Sequence, residues 1–239
     1  MNGLKRIVVI GNSILQKALT KSAVFGAKWF DYNLLSKEKT QAFLATYRIA
    51  TYAANSLKLP PVNDAVDPMK PNFPPTEVAT APSYVWRYEP GNQRTAQLRS
   101  GAVMSDHTVL NTDYWSHDFL NGVLTQKKRD LRNVQTLIAP FSHYFDGNVF
   151  VGYYDYMFLV AAKLCRIKAA LPDGAFTEAV VSYPLVDTTY ERELLELLGF
   201  TSDQIVDSRQ TAVSFERCLL GNHDNWAHQN EADIRSLKT

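Results

Sequence analysis

The chain contains 239 residues, of which 46% are hydrophobic, so it is long enough for one or two domains with a buried core. Its 25 basic and 24 acidic residues leave a net charge of +1, which argues against a nucleic acid or an anionic membrane as the main partner. The densest basic run, residues 127–129, is predicted to be a solvated helix or turn.

The cysteines and the hydropathy pattern bear on the cellular compartment. Cys165 and Cys218 form no Cys-x-x-Cys pair, and we expect both to behave as small buried hydrophobes in a reducing environment. No stretch approaches the roughly 20 apolar residues that span a bilayer. The apolar run at residues 7–10 is too short for a signal peptide. We therefore predict a cytoplasmic protein without a transmembrane segment.

The first residues predict a strand followed by a helix. Residues 6–10 (RIVVI) are typical of a buried strand, and a turn at residues 11–13 leads into a helix at residues 14–25. Such a start can bind phosphate, but the GxGxxG fingerprint of dinucleotide sites is absent. An alternative is a hydrolase with Ser13 as its nucleophile. That reading needs Asp-x-x-His near the C-terminus, whereas Asp224 and His228 are one residue too far apart.

Two longer segments complete the N-terminal part of the chain. Residues 37–58 predict one long helix, with Phe43 and Tyr47 on a face that belongs to the core. Residues 60–82 hold seven of the eleven prolines and predict a linker or extended segment without regular structure. We therefore expect three segments: an N-terminal strand and helix arm (1–59), a proline-rich linker (60–83) and a main lobe (84–239).

The main lobe begins with a small β-hairpin element. Residues 84–88, 102–104 and 108–110 have the composition of short strands, and residues 91–92 and 105–107 are typical turns.

Residues 137–220 alternate short β-branched runs with amphipathic helices, which is typical of βαβ units on a parallel sheet. A strand at residues 137–139 precedes a helix that begins near Gly152 and ends at residues 172–174. Its apolar stripe contains Tyr153, Met157, Val160, Leu164, Ile167 and Leu171. We expect its charged residues to lie away from that stripe; they are Asp155, Lys163, Arg166 and Lys168.

A strand at residues 178–183 leads into the second helix. Thr188 and Glu191 predict a capping box at its start, and Gly199 suits the left-handed residue past its end. Residues 204–206 and 213–220 predict two further strands. The predicted fold class is α/β: a Rossmann-like parallel sheet with flanking helices.

This order of elements resembles the front lobe of glycosyltransferase family 61, over roughly residues 84–235. The family usually carries Asn-Tyr-x-His-Trp at the start of the long helix, where this chain has Gly-Tyr-Tyr-Asp-Tyr. Tyr153 matches, whereas Asp155 replaces the histidine and Tyr156 replaces the tryptophan. The resemblance implies a transferase that moves a sugar from a nucleotide-sugar donor to a glycan acceptor in bacterial capsular or surface polysaccharide biosynthesis. It implies no metal and no separate cofactor.

Asp155 is the first candidate for catalysis, because a carboxylate can act as the base on a sugar hydroxyl. The alternative is an acid that only stabilises the helix start. Tyr153, Tyr154 and Tyr156 are candidates for packing on a sugar, or else belong to the edge of the core. His143 lies in the preceding strand-to-helix loop, where parallel sheets bind ligands, and is the second catalytic candidate.

His223 and Asp224 follow the last predicted strand. With His228 they suggest metal ligands, but the set lacks a further ligand at a known spacing. The resemblance instead places them at the crossing between two lobes, so they are predicted to bind substrate.

The resemblance also raises the question of completeness, because the family holds its donor in a second lobe that would begin near Thr239. We therefore weigh the enzyme against a non-catalytic lobe that binds an acceptor or a partner, and against an unrelated small-molecule enzyme. An uncovered sheet edge predicts a homodimer. A role in polysaccharide export would place the protein at the inner membrane surface.

Overall fold

A computed structural model describes residues 31–60, 62–63, 71–73, 76–113, 128–140, 152–223 and 230–238. The strand and helix predicted at residues 6–25 lie outside these ranges. So do Ser13, His143, Asp224 and His228.

The described chain consists of many short strands and few helices. The strands are β1 (Asn33–Leu34), β2 (Arg48–Tyr52), β3 (Ser56–Leu59), β4 (Val62–Asn63), β5 (Pro71–Phe73), β6 (Thr76–Ala79), β7 (Ser83–Tyr88), β8 (Thr95–Gln97), β9 (Val103–Ser105), β10 (Thr108–Leu110), β11 (Asp130–Ile138), β12 (Ala179–Tyr183), β13 (Ile205–Asp207) and β14 (Thr211–Gly221). The helices are α1 (Lys37–Phe43), α2 (Tyr153–Tyr156), α3 (Ala162–Ala169), α4 (Thr189–Leu197) and α5 (Glu231–Ser236). Single 3₁₀ turns occur at Ala45–Tyr47 and Ser202–Gln204.

The main sheet has six strands in the order β13-β12-β11-β14-β7-β2. β13, β12, β11 and β14 are parallel, and β7 and β2 run antiparallel at one side. Strands covered on both faces need apolar side chains throughout, and all five residues of β12 are buried. The expected α/β class is thus confirmed as a mixed α/β arrangement.

Apolar clusters cover both faces of the main sheet. On one face, Val160, Leu164 and Ile167 pack with Val181 and Leu219. On the other face, Trp86, Cys218 and Phe215 pack with Val103 and Leu110 of a second sheet, whose order is β1-β10-β9-β8. The main sheet therefore lies between helices and a smaller sheet.

The helix predicted at residue 152 is present. α2 begins after Gly152, and a π-helical turn at Met157–Ala161 connects it without interruption to α3. We call residues 153–169 the long helix. Gly199 has φ of +97°, the left-handed conformation expected past the end of α4.

The single helix predicted at residues 37–58 is wrong. α1 ends at Phe43, and the chain continues as β2, which pairs with β7 at the edge of the main sheet. The sequence of β2, RIATY, contains β-branched and aromatic side chains that suit a strand once an edge is available. Helix propensity is weaker than this tertiary pairing.

The absence of regular structure expected at residues 60–82 is also wrong. β4 pairs with β5 inside the proline-rich segment, and β6 of that segment pairs with β3 just before it, so the segment takes part in two small antiparallel ladders. The division into arm, linker and lobe stays a prediction, although β2 from the arm pairs with β7 of the lobe.

Part of the basic run at residues 127–129 is not solvated. Lys128 is exposed, but Arg129 is half-buried and donates to the carbonyl oxygens of Ser208 and Gln97. Burial lowers the pKa of Arg129, with a smaller contribution from Arg99. The expectation for the cysteines holds: Cys218 is buried and Cys165 is partly buried, and neither forms a disulfide.

Thr95 joins the two sheets, and its hydroxyl should matter for stability. Its Oγ1 donates to the carbonyl oxygen of Phe215 (2.7 Å) and accepts from the amide of Phe215 (2.8 Å). We expect Thr95→Val to lower the free energy of unfolding by about 1–3 kcal/mol, because both groups of Phe215 lose a partner. Urea unfolding measures the loss. Thr95→Ser keeps the hydroxyl, and a loss equal to that of Thr95→Val would contradict this account.

Candidate functional site

The start of the long helix carries the first candidate residues. Gly152 is the N-cap, and its amide donates to Oδ2 of Asp155 at 3.3 Å. Asp155 is partly buried, and its Oδ1 forms no hydrogen bond with any residue that the structure describes. The carboxylate therefore stabilises the helix start through Oδ2.

Two tyrosines beside Asp155 are exposed. Tyr153 is 61% exposed and its ring packs edge-on against Tyr190 with 5.1 Å between centroids. Tyr154 is 46% exposed and packs against Phe158 at 4.6 Å. Exposed aromatic rings offer apolar surface on which a ligand can pack.

Tyr156 differs from its neighbours, because it is fully buried. Its side chain belongs to the cluster that joins the long helix to the sheet, so it offers no surface to a sugar in this structure. Burial raises the pKa of Tyr156, and a contact with the Tyr183 hydroxyl partly offsets that rise.

A buried carboxylate organises the loop after β12. Glu191 accepts from the Tyr183 hydroxyl (2.8 Å) and from the amides of Val186 (3.0 Å) and Asp187 (2.7 Å). The capping box predicted between Thr188 and Glu191 is therefore wrong. The Thr188 side chain makes no capping hydrogen bond, and Glu191 accepts from the amides of Val186 and Asp187 instead. The two amides obtain hydrogen-bond partners in this way, which stabilises the turn before α4.

Lys163 and Arg166 correct another expectation. Both side chains are fully buried, although we predicted them to lie away from the apolar stripe. Nζ of Lys163 contacts Oδ2 of Asp113 at 2.6 Å, and Nη1 of Arg166 contacts Oδ1 of Asp233. Each cation thus has a carboxylate partner, as buried charges require. Burial lowers the pKa of Lys163, and Asp113 opposes that shift.

Arg166 also ties the long helix to the end of β14. Its Nη2 donates to the carbonyl oxygen of Asn222. The Asn222 side chain accepts from the amide of Tyr84 (2.6 Å) and donates to the carbonyl oxygen of Pro82 (3.1 Å). A Cβ on Gly221 would lie 3.2 Å from Arg166 Nη2, so only glycine fits this approach without a shift.

We call Asp113, Lys163, Arg166, Asn222 and Asp233 the ionic cluster. Its two cations and two carboxylates balance, and it joins four separate parts of the chain. Within the described ranges, Nε of Arg166 forms no hydrogen bond although it is buried. Paired buried charges of this kind constrain the relative positions of the parts of the chain that they join.

The remaining predicted site residues are His143, His223 and Asp224. His223 is 3% exposed and directly follows the ionic cluster in sequence. His143 and Asp224 lie outside the described residues. Among the residues that the structure describes, no three His, Cys, Asp or Glu side chains are arranged to hold a metal ion.

Comparisons with protein-family models, with curated proteins and with solved structures gave no match. Within the described ranges, no helix combines the length and the apolar character needed to cross a membrane.

The ionic cluster leads to a prediction about paired charges. Lys163→Met removes the ammonium that contacts buried Asp113, and we expect it to lower the free energy of unfolding by about 3–5 kcal/mol. Replacing both residues, Lys163→Met with Asp113→Leu, removes both charges and should recover a large part of that loss. Urea unfolding of the wild type, the two single variants and the double variant gives the coupling free energy between Lys163 and Asp113.

The matched control for this cycle is Lys168→Met on the same helix. The Lys168 ammonium is exposed and donates to the carbonyl oxygen of Leu198, so we expect a loss of about 1 kcal/mol or less. Additive losses from Lys163→Met and Asp113→Leu would show that the two residues are not coupled.

Tyr156 leads to a prediction about alkaline pH. Its folded-state pKa is raised above the value of 10.0 that an exposed tyrosine has, so the unfolded chain releases this proton first. The stability that depends on the neutral phenol is complete below about pH 10 and falls as pH rises further. In Tyr156→Phe, the fall in unfolding free energy above pH 10 should be shallower by up to about 1.4 kcal/mol per pH unit. Urea unfolding between pH 9 and 11.5 tests this, and parallel curves for the two proteins would contradict it.

Proposed function

We propose that the chain is a front lobe of a family-61-like glycosyltransferase, which transfers a sugar from a nucleotide-sugar donor to a glycan acceptor in bacterial capsular or surface polysaccharide biosynthesis. One observation carries the proposal. The exposed Tyr153 and Tyr154 directly precede Asp155 at the start of a helix that packs on four parallel strands. The parallel strands and flanking helices support a Rossmann-like reading of this lobe.

In the proposed reaction, the acceptor hydroxyl attacks the anomeric carbon of the donor sugar. The bond from that carbon to the phosphate oxygen breaks, and the nucleoside diphosphate leaves. The hydroxyl proton passes to Oδ1 of Asp155, while Oδ2 keeps its hydrogen bond with Gly152. A carboxylate has enough lone pairs for both contacts at once. Tyr153 and Tyr154 pack on the acceptor sugar. His143 is the second candidate for the base.

The alternative is a non-catalytic lobe that binds an acceptor or a partner. It is favoured by the same contact, because capping Gly152 is by itself a sufficient reason for an acid at position 155. In that case Tyr153 and Tyr154 would still bind a glycan, but no transfer would follow.

The remaining parts of the proposal concern the surroundings. Nucleotide sugar and glycan are the expected partners, with no separate cofactor, and the expected location is the cytoplasm at the inner membrane surface. β2 lies at one end of the main sheet, and its outer edge pairs with no other described strand, which favours a homodimer. For the predicted substrate-binding residues His223 and Asp224 we retain a role at the crossing to a second lobe.

Asp155→Asn separates the two readings. Asparagine keeps an oxygen that accepts from Gly152 but cannot take a proton, so transfer should fall at least 100-fold while glycan binding and the melting temperature change little. Transfer from a panel of nucleotide sugars and a thermal-shift screen with the same donors provide the measurements.

Asp173→Asn is the matched control, since Asp173 is exposed just past the far end of the same helix. We expect it to leave transfer unchanged. No transfer and no thermal shift with any donor, from a folded sample, would favour the non-catalytic lobe. Equal transfer by the wild type and Asp155→Asn would exclude Asp155 as the base.

A further inference from the structure

A cavity of about 580 Å³ lies at the outer side of the main sheet, away from the start of the long helix. Its walls are the end of β2 with the turn that follows, the last residue of the long helix, and α5. Ligand pockets in proteins commonly have volumes of roughly 300–1,000 Å³, so a sugar ring or a disaccharide fits a space of this size.

Small side chains keep this cavity open. Four alanines contribute to its lining: Ala53, Ala54, Ala169 and Ala232. Their methyl groups form apolar walls, which suit the C–H faces of a ring but give no specificity.

Two asparagines in the lining form its rigid frame. Nδ2 of Asn230 donates to the carbonyl oxygens of Ala53 (3.0 Å) and Ala81 (3.1 Å). Oδ1 of Asn55 accepts from the amide of Glu231 (3.0 Å) and from the Thr80 hydroxyl (2.9 Å). These bonds hold the β2–β3 turn against the start of α5, so the cavity is formed without a ligand.

Tyr52 supplies a polar group to the cavity lining. It lines the cavity, and its hydroxyl forms no hydrogen bond with any described residue. A tyrosine hydroxyl is protonated at neutral pH and can donate a hydrogen bond, and burial raises the pKa of Tyr52 further. Its ring adds a flat apolar surface.

A charged pair at the rim adds donors and an acceptor. Arg235 and Glu231 form a salt bridge of 2.7 Å across one turn of α5, and both side chains are largely exposed. A guanidinium offers several donors in one plane, and a carboxylate accepts in the same region, so the pair can bind adjacent hydroxyl groups.

We infer that this cavity binds a neutral sugar, as a single ring or the end of a short glycan. An apolar ring face meets the alanines and the Tyr52 ring, and hydroxyl groups bond to Tyr52, Arg235 and Glu231. The inference does not depend on the proposed transferase activity, because the cavity and the start of the long helix share no residues.

The test is sugar binding, measured by saturation-transfer NMR and calorimetry. The probes are methyl glycosides of glucose, galactose and N-acetylglucosamine and their disaccharides, with cyclohexanemethanol as a ring of similar size that lacks adjacent hydroxyls. We expect at least one sugar to bind at millimolar concentration. Tyr52→Phe should weaken the binding of that sugar about tenfold, because one hydrogen bond is lost. Ala54→Leu should abolish binding by filling the cavity.

The control is Arg192→Met, which removes an exposed arginine outside the cavity and should leave the affinity unchanged. Circular dichroism confirms that each variant is folded. The inference is overturned if no sugar binds, if Tyr52→Phe and Ala54→Leu bind as the wild type does, or if cyclohexanemethanol binds as tightly as the sugars. Tyr154→Ala distinguishes the two proposals: it should weaken acceptor binding at the helix start and leave binding in this cavity intact.

Discussion

The structure depends on the two buried ion pairs of the long helix, Lys163 with Asp113 and Arg166 with Asp233. Burying four charged groups costs several kcal/mol for each ion, and this cost is offset only while every partner stays in place. The pairs therefore act as a constraint on geometry more than as a source of stability. Through Arg166 and Asn222 the constraint extends to the end of β14 and to the backbone of β7. If the long helix moved away from Asp113 or from α5, a buried charge would lose its partner.

The long helix that carries these pairs contributes to both candidate sites. The first half of the long helix is held through Tyr156, which packs in one apolar cluster with Tyr183, while Tyr153 and Tyr154 remain exposed. The second half is held through Arg166, whose partner Asp233 lies on the helix that lines the cavity. The charges of Arg166 and Asp233 both act on the Tyr52 hydroxyl. One helix thus carries exposed aromatic side chains at its start and contributes to the cavity at its end.

Sequence patterns predicted the part of the fold in which local signals and tertiary contacts agree. The strands at residues 178–183 and 213–220, the helix start at Gly152 and the left-handed Gly199 all follow from such agreement. Residues 37–58 were mispredicted because pairing with β7 is a long-range contact that no local pattern reveals. The ionic cluster was missed because charged side chains were assumed to face water. Tyr156 and Leu159 flank Lys163 and Arg166 on the helix surface and are also buried, so a wider apolar face was the available signal.

The hydrogen bond between Asp155 and Gly152 does not by itself choose between a catalytic and a merely stabilising carboxylate. A capping contact of this kind contributes about 0.5–2 kcal/mol. General-base catalysis contributes a factor of about 10²–10⁴, or roughly 3–5 kcal/mol. The free energy lost with the cap would therefore be smaller than the reduction in activation free energy that general-base catalysis by Asp155 would provide. No such loss is required, because Oδ2 makes the contact and Oδ1 is left for a substrate proton. The cap then fixes the direction of the carboxylate, which is the property that a general base needs most.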